Sequence, residues 1–216
     1  MENEKCWLGV GVLTEKGLLL IISGPSGSGK GTVTKQLICG NFALSVSMTT
    51  RQPRSGEAHG VDYIFCTEEE FAQVRDADGF LEHATFSGHF YGTPRYYVDE
   101  QIAKGKTVVL EIEVVGALQV KEKYPEAVLI FLIPPSFDDL RHRLRGRGTE
   151  CEDEIERRIR RAKEELDEVP KYDYLVINDN IEKAIENVRS IVRAEKCKPA
   201  RQGSKIEQFL DNTENK

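Results

Sequence analysis

Cysteine is sparse in this chain and shows no pairing. Its five cysteines, Cys6, Cys39, Cys66, Cys151 and Cys197, are odd in number and scattered, with no CxxC spacing. That pattern argues against a zinc site and against a disulfide framework, and it suits reduced thiols in a reducing compartment. Long apolar runs are missing too. "CWLGVGVL" near the start is too short to span a bilayer, and the acidic "MENEK" before it lacks the positive flank of a signal peptide. A cytoplasmic location without a membrane partner is the expectation. Nor is there a basic surplus: 30 Lys and Arg stand against 36 Asp and Glu, a net charge of −6, which argues against a general nucleic-acid binder. What is present is 39% hydrophobic and 31% charged residues over 216 positions, enough for one sizeable core with a small inserted lobe.

The apolar run "GLLLIISG" (17–24) has the continuous hydrophobicity of a strand buried on both faces. "KGTVTKQLI" after it predicts a helix. The alternation recurs with a strand at 106–114, a helix from "GALQVKEKYP", a strand at 127–135 and a helix from "SFDDLRHRL". It ends with a strand at 174–179 and the helix "IEKAIENVRSIVRAEK". Strands alternating with helices predict an α/β fold with a central parallel sheet flanked by helices. Between 42 and 93 the rhythm changes: "DYIFC", "FLEHATF" and "HFYGTP" read as short strands. A helix beginning at "TEEEF" sits among them, opened by Thr67 and Glu70 as a capping box. This predicts a mixed α/β lobe inserted into the core. The stretch 143–160, rich in Arg and Glu, reads as a solvent-facing flap, and the polar C-terminal segment as a mobile tail.

"GPSGSGKGT", residues Gly24 to Thr32, joins the first strand to the first helix. Glycines there let backbone N–H groups converge on anionic oxygens, and the helix N-terminus adds a favourable partial charge. The loop comprises Gly24, Pro25, Ser26, Gly27, Ser28, Gly29, Lys30, Gly31 and Thr32, with Lys30 placed to reach the terminal phosphates of a nucleotide. Position 31 holds Gly where the usual pattern has a magnesium-ligating Ser or Thr. Phosphate binding does not depend on that hydroxyl, so the loop remains a site. Thr32 is left with a weak metal role, exerted through water.

Downstream, "SVSMTTRQPRSGEAHGVDYIF" sets Arg51 and Arg54 three residues apart, followed by Tyr63. Two guanidinium groups and a phenol suit one phosphate dianion; a solvated arginine patch is the alternative. "FLEHATFSGHFYGTPR" supplies Glu82, Tyr91 and Thr93. An ionised carboxylate accepts from both guanine N1–H and N2–H, and a hydroxyl donates to O6, whereas adenine lacks the N1–H. A surface carboxylate and a packing aromatic are the competing readings.

Together, the phosphate loop, "SVSMTTRQPR", "GVDYIF", "FLEHA", "YGTP", "RLRGRGTE" and "VIND" resemble guanylate kinase over about residues 18–196. The resemblance implies a domain at 17–196, with core segments about 17–46, 94–142 and 162–196, a GMP-binding lobe about 47–93 and a lid about 143–161. Residues 1–16 become an N-terminal extension and 197–216 a polar tail. By resemblance, Ser47, Glu82 and Thr93 contact guanine, while Arg51, Arg54, Tyr63 and Tyr91 hold the GMP phosphate. Glu111 and Glu113 lie where the family more often has Asp-Ile-Asp, and Val115 replaces its glutamine. Glu113 is then a guanine contact and Glu111 a partner of metal-bound water or of Lys30; both could instead merely cap a strand. Among the arginines of 141–161, Arg147 and Arg158 would reach the transferring phosphoryl and Arg143 the adenine, with Asn178 beside that base. Arg145, Arg157, Arg160 and Arg161 read as a solvated helix face.

The implied reaction transfers a phosphoryl group from ATP, with Mg²⁺, to GMP or dGMP. It needs no histidine base, and His59, His83, His89 and His142 receive no role. Oligomeric state is not legible. Two rivals stand beside it: a kinase for another nucleoside monophosphate, separated by comparing GMP with AMP, CMP and UMP, and a non-catalytic guanylate-kinase-like interaction module, against which the intact loop and Lys30 argue.

Overall fold

A first strand buried on both faces organises the molecule. A computed structural model describes residues 16–86, 88–146 and 151–214. Strand β1 (Leu18–Ser23) is buried along its whole length. Its even residues, Leu18, Leu20 and Ile22, meet Val33 and Leu37 of α1 (Lys30–Leu37) on one face. Leu19 and Ile21 point to the other face, because side chains alternate along a strand. β2 (Phe42–Leu44) follows α1 and becomes one edge of the sheet.

The chain then leaves the core. β3 (Met48–Thr49), β4 (Ile64–Phe65), α2 (Glu68–Asp76), β5 (Phe80–Phe86) and β6 (His89–Pro94) make a second unit whose sheet runs β4-β3-β6-β5. Its small core is aromatic: Phe71 of α2 stacks on Phe80 at 4.5 Å and on Phe90 at 5.4 Å. The capping box is as the sequence predicts, with the Thr67 hydroxyl accepting from Glu70 N–H and Glu70 returning to Thr67 N–H. α3 (Arg95–Ala103) leads back to the main sheet.

β7 (Thr107–Glu111), α4 (Val114–Lys123), β8 (Val128–Ile133), α5 (Phe137–Arg145), α6 (Glu152–Leu166), β9 (Tyr174–Ile177) and α7 (Ile181–Lys196) complete the core. The main sheet has the order β2-β7-β1-β8-β9 and is wholly parallel. α1 and α7 cover one face, the latter through Ala184, Ile185, Val188 and Val192. α3 and α4 cover the other through Val98, Ile102, Ala117 and Val120. Loops at the carboxyl ends of β1, β7, β8 and β9 therefore gather at one edge, where open α/β sheets bind ligands.

Four sequence expectations change. The strand predicted over 106–114 stops at Glu111, and Glu113 caps α4 instead. α3 was not anticipated, because only Val98, Gln101 and Ile102 of its residues are buried and the pattern is faint. The arginine-rich flap has its own apolar seam: Ile155, Ile159 and Ala162 of α6 pack on Leu140 and Leu144 of α5. The C-terminal segment is helical, as α8 (Gly203–Glu214), and the turn before it is anchored. There the carboxylate of Glu195, which is only 1% exposed, takes the Tyr174 hydroxyl at 2.6 Å and Lys198 at 2.6 Å. Among the described residues no helix is long and apolar enough to cross a membrane.

Packing outweighs capping in this fold, and the two are separable in a urea titration. Ile130→Ala, in a fully buried central strand, should cost about 2–5 kcal/mol. Thr67→Ala, which removes one cap, should cost about 1 kcal/mol.

Candidate active site

The turn leaving β1 is shaped by close approach. A Cβ on Gly24 would lie 2.2 Å from the Leu132 carbonyl oxygen, and the residue's φ of +136° disfavours any side chain. Ser28 N–H donates to the Pro25 carbonyl at 3.1 Å and closes the turn. Gly29 then opens α1 with no side-chain cap and no acidic residue in the first turn. The positive end of the helix is thus presented at this turn without a side-chain cap. The Lys30 ammonium folds over the loop, donating to the Gly24 carbonyl at 2.5 Å and to that of Pro25 at 3.1 Å.

Side chains from three other elements hold this loop. Asn178, buried just beyond β9, donates from Nδ2 to the Ser28 carbonyl at 2.8 Å. Arg143 of α5 donates to the same carbonyl at 3.2 Å and to the Asn178 carbonyl at 2.7 Å. From α6, Arg158 donates to the Ser26 hydroxyl at 2.7 Å. A cleft of about 500 Å³ lies over the loop, lined by Lys30, Gly31, Thr32, Glu111 and Glu113 among others. Desolvation raises the Glu111 pKa, and Lys30 opposes the shift.

The inserted unit brings two further groups together. On the β5–β6 ladder Glu82 stands opposite Thr93, whose hydroxyl donates to its carboxylate at 2.7 Å. Glu82 is 8% exposed, and burial raises its pKa against the lowering effect of Thr93. Its carboxylate packs over α4, 3.2 Å from where a Cβ of Gly116 would stand. The second group is cationic and aromatic. The Arg51 guanidinium lies 5.3 Å from the Tyr63 ring centroid, and Tyr63 meets Tyr91 edge-on at 6.0 Å. Glu57 joins Arg51 to the neighbouring turn: it accepts from Arg51 Nη2 at 2.9 and 3.0 Å and from Arg54 N–H at 2.7 Å. Ser47, half-buried at the start of β3, accepts from Ile64 N–H through its carbonyl.

A model of the guanylate kinase family matches residues 16–195. Guanylate kinase from Caldanaerobacter subterraneus subsp. tengcongensis is 52% identical over 188 residues, covering 86% of this chain and 91% of that protein. The Bacillus anthracis guanylate kinase is 51% identical over 191 residues, covering 87% and 93%. Among solved structures, guanylate kinase from Anaplasma phagocytophilum superposes with a TM-score of 0.69 at 34% identity, covering 87% of this chain and 90% of that one.

The chain belongs to the guanylate kinase family. The residues that the resemblance singles out fall into three groups. Loop residues Gly24 to Thr32 with Arg143, Arg158 and Asn178 form one cluster, Glu82 with Thr93 a second, and Arg51, Arg54, Tyr63 and Tyr91 a third. Arg147 lies outside the described residues. The Glu113 carboxylate, at the start of α4, pairs with Arg161 of α6. Arg161, read as part of a solvated face, is therefore a bridge between α6 and the start of α4, and it also holds Glu165 at 3.0 Å. Arg143 meets the Ser28 and Asn178 carbonyls. The sequence reading missed Glu57, although an acid three residues after Arg54 was a signal.

One of these close approaches is open to test. A Cβ on Gly29 would stand 2.3 Å from Asn178 Nδ2, and its φ is +96°. Gly29→Ala should cost about 1–3 kcal/mol through backbone strain and that clash together. In an Asn178→Ala background the clash is gone and only the strain remains. The cost should shrink, as read from a double-mutant cycle in urea.

Proposed function

We propose that the three clusters bind the two nucleotides of the family's reaction, in which ATP phosphorylates GMP to give ADP and GDP. The observation that carries the reading is the buried Glu82 carboxylate, tethered by Thr93 and packed on the first turn of α4. That turn begins at Glu113, which lines the phosphate-loop cleft. A base held there places its phosphate towards Arg51, Arg54, Tyr63 and Tyr91, with Ser47 beside the base. The ATP phosphates take the open N-terminus of α1 and Lys30, with Arg143 and Asn178 bordering the adenine side.

A GMP phosphate oxygen forms the new bond to the γ-phosphorus while the bond to the departing ADP oxygen breaks. That oxygen is already largely ionised near neutral pH, so positioning and charge compensation replace general base catalysis. Lys30 and Arg158, with Arg147 by resemblance, face the charge that spreads over the transferring group. Arg158 and Arg143 both lie on the helices that touch the loop, so closure of this region would also exclude water.

Mg²⁺ suits the cleft, whose Glu111 carboxylate and Thr32 hydroxyl are hard oxygen donors. Among the described residues no cluster of three His, Cys, Asp or Glu would hold a metal without help, so nucleotide phosphates and water would supply the remaining ligands. Bound with ATP, the ion neutralises charge on the phosphate oxygens.

Three outcomes are expected. Lys30→Met should lower kcat by about 10²–10³-fold or more, while loss of its two loop contacts costs no more than about 1–3 kcal/mol in stability. In a coupled assay GMP should outpace AMP, CMP and UMP, with GMP over AMP on the order of 10⁴-fold in kcat/KM. A preference for AMP would overturn the assignment of Glu82. The third concerns pH. Glu82 accepts guanine protons only when ionised, and burial raises its pKa above the ordinary 4.5. Binding should therefore weaken as pH falls through that raised value, and Thr93→Val, by removing a lowering contact, should move the loss to higher pH. Guanosine as a competitive inhibitor reads this cleanly, because it lacks the phosphate that itself titrates near pH 6.

A further inference from the structure

The turn between Arg51 and Glu57 holds two cations in a small space before any substrate arrives. Like charges three residues apart repel, and a long arginine side chain loses rotamer freedom when fixed. The Arg51 side chain is nonetheless only 12% exposed and held from several directions. Nη1 donates to the Gln52 carbonyl at 2.7 Å, and Nη2 donates to both oxygens of Glu57. Tyr63 and Phe65 lie 5.3 and 5.9 Å from the guanidinium carbon, and the Tyr91 hydroxyl sits against the same group. One Glu57 oxygen also takes the Arg54 backbone N–H at 2.7 Å, while Glu57 N–H donates to the Arg54 carbonyl at 3.1 Å.

One carboxylate thus ties the guanidinium of one arginine to the backbone of the other. The Arg54 guanidinium has no hydrogen-bond partner among the described residues and remains available. A guanidinium has five N–H donors, and the Gln52 and Glu57 contacts draw on Nη1 and Nη2 of Arg51 alone.

We propose that Glu57 is a positioning residue for the acceptor phosphate. It fixes Arg51 and the Arg54 turn in the geometry that receives the GMP phosphate, so binding does not have to order them. This rests on the reading of Arg51 and Arg54 as the phosphate site. Glu57 touches no reacting atom. Its effect belongs to GMP affinity, and specifically to the phosphate part of that affinity. Charge is essential to the role, because a neutral amide would hold Arg51 by weaker hydrogen bonds and leave the two cations uncompensated.

Glu57→Gln separates this from a mere turn staple, since the amide oxygen still accepts from Arg54 N–H. For Glu57→Gln, KM for GMP should rise on the order of 10- to 100-fold, with kcat within about threefold and KM for ATP unchanged. Guanosine, which carries the base without the phosphate, should inhibit wild type and variant equally. Glu57→Asp, with the charge on a shorter arm, should recover part of the loss. It also serves as the test if Glu57→Gln fails to fold. Unchanged GMP affinity, or equal weakening of GMP and guanosine, would overturn the positioning role. A wild-type chain that bound GMP no better than guanosine would overturn the phosphate assignment beneath it.

Discussion

Everything at the candidate site depends on an uncapped helix N-terminus held at the end of a buried strand. Helices usually satisfy their first N–H groups with a side chain, yet α1 begins at Gly29 with none. This end of the helix lines a cleft, and its direction is fixed by a loop that cannot relax. Gly24 presses against the Leu132 carbonyl on one side, and Asn178 and Arg143 hold the Ser28 carbonyl on the other. β1, β8 and β9 are hydrogen-bonded neighbours, so the loop and its clamps belong to one rigid sheet edge. The hydrophobic core thereby sets the aim of the backbone amides.

The arginines are managed by a second rule. A phosphoryl-transfer site requires several cations close together, and without a nucleotide those cations need counter-charges. Each group of arginines carries its own acids: Glu57 for Arg51, Glu152 for Arg145 and Glu156 for Arg141. Arg161 takes Glu113 and Glu165. This interleaving explains how a chain of net charge −6 presents basic sites. Most of these pairs are exposed and contribute little stability. Arg51 with Glu57 is more enclosed, which is why it stands out.

Legibility in the sequence followed the range of the interactions. β1 was readable because both its faces are buried, the Thr67 capping box because it closes within three residues, and α7 because its apolar stripe is long. α3 and α8 were not, since one buries few residues and the other exposes Ile206, Phe209 and Leu210. The phosphate loop was plain from its glycines. The Arg161–Glu113 pair spans 48 positions and has no local signature, so the pairing itself was not legible. Glu57 was a local contact hidden in a stretch that read as loop, where acids are ordinarily solvated.

The two departures from the commoner motifs belong together in space. Position 31 lacks the hydroxyl that P-loops usually place beside the metal, and position 111 has a carboxylate one methylene longer than the usual aspartate. A Cβ on Gly31 would lie 3.5 Å from Glu111 Oε1. The longer side chain from β7 therefore rests over the part of α1 that the glycine leaves bare. A carboxylate from the neighbouring strand thus stands beside the position where the loop carries no side-chain oxygen. Lys30 lies close enough to that charge to oppose the rise in the Glu111 pKa. Loop, lysine and strand carboxylate thus form one electrostatic unit, and a change at position 31 has to be judged together with the side chain at 111.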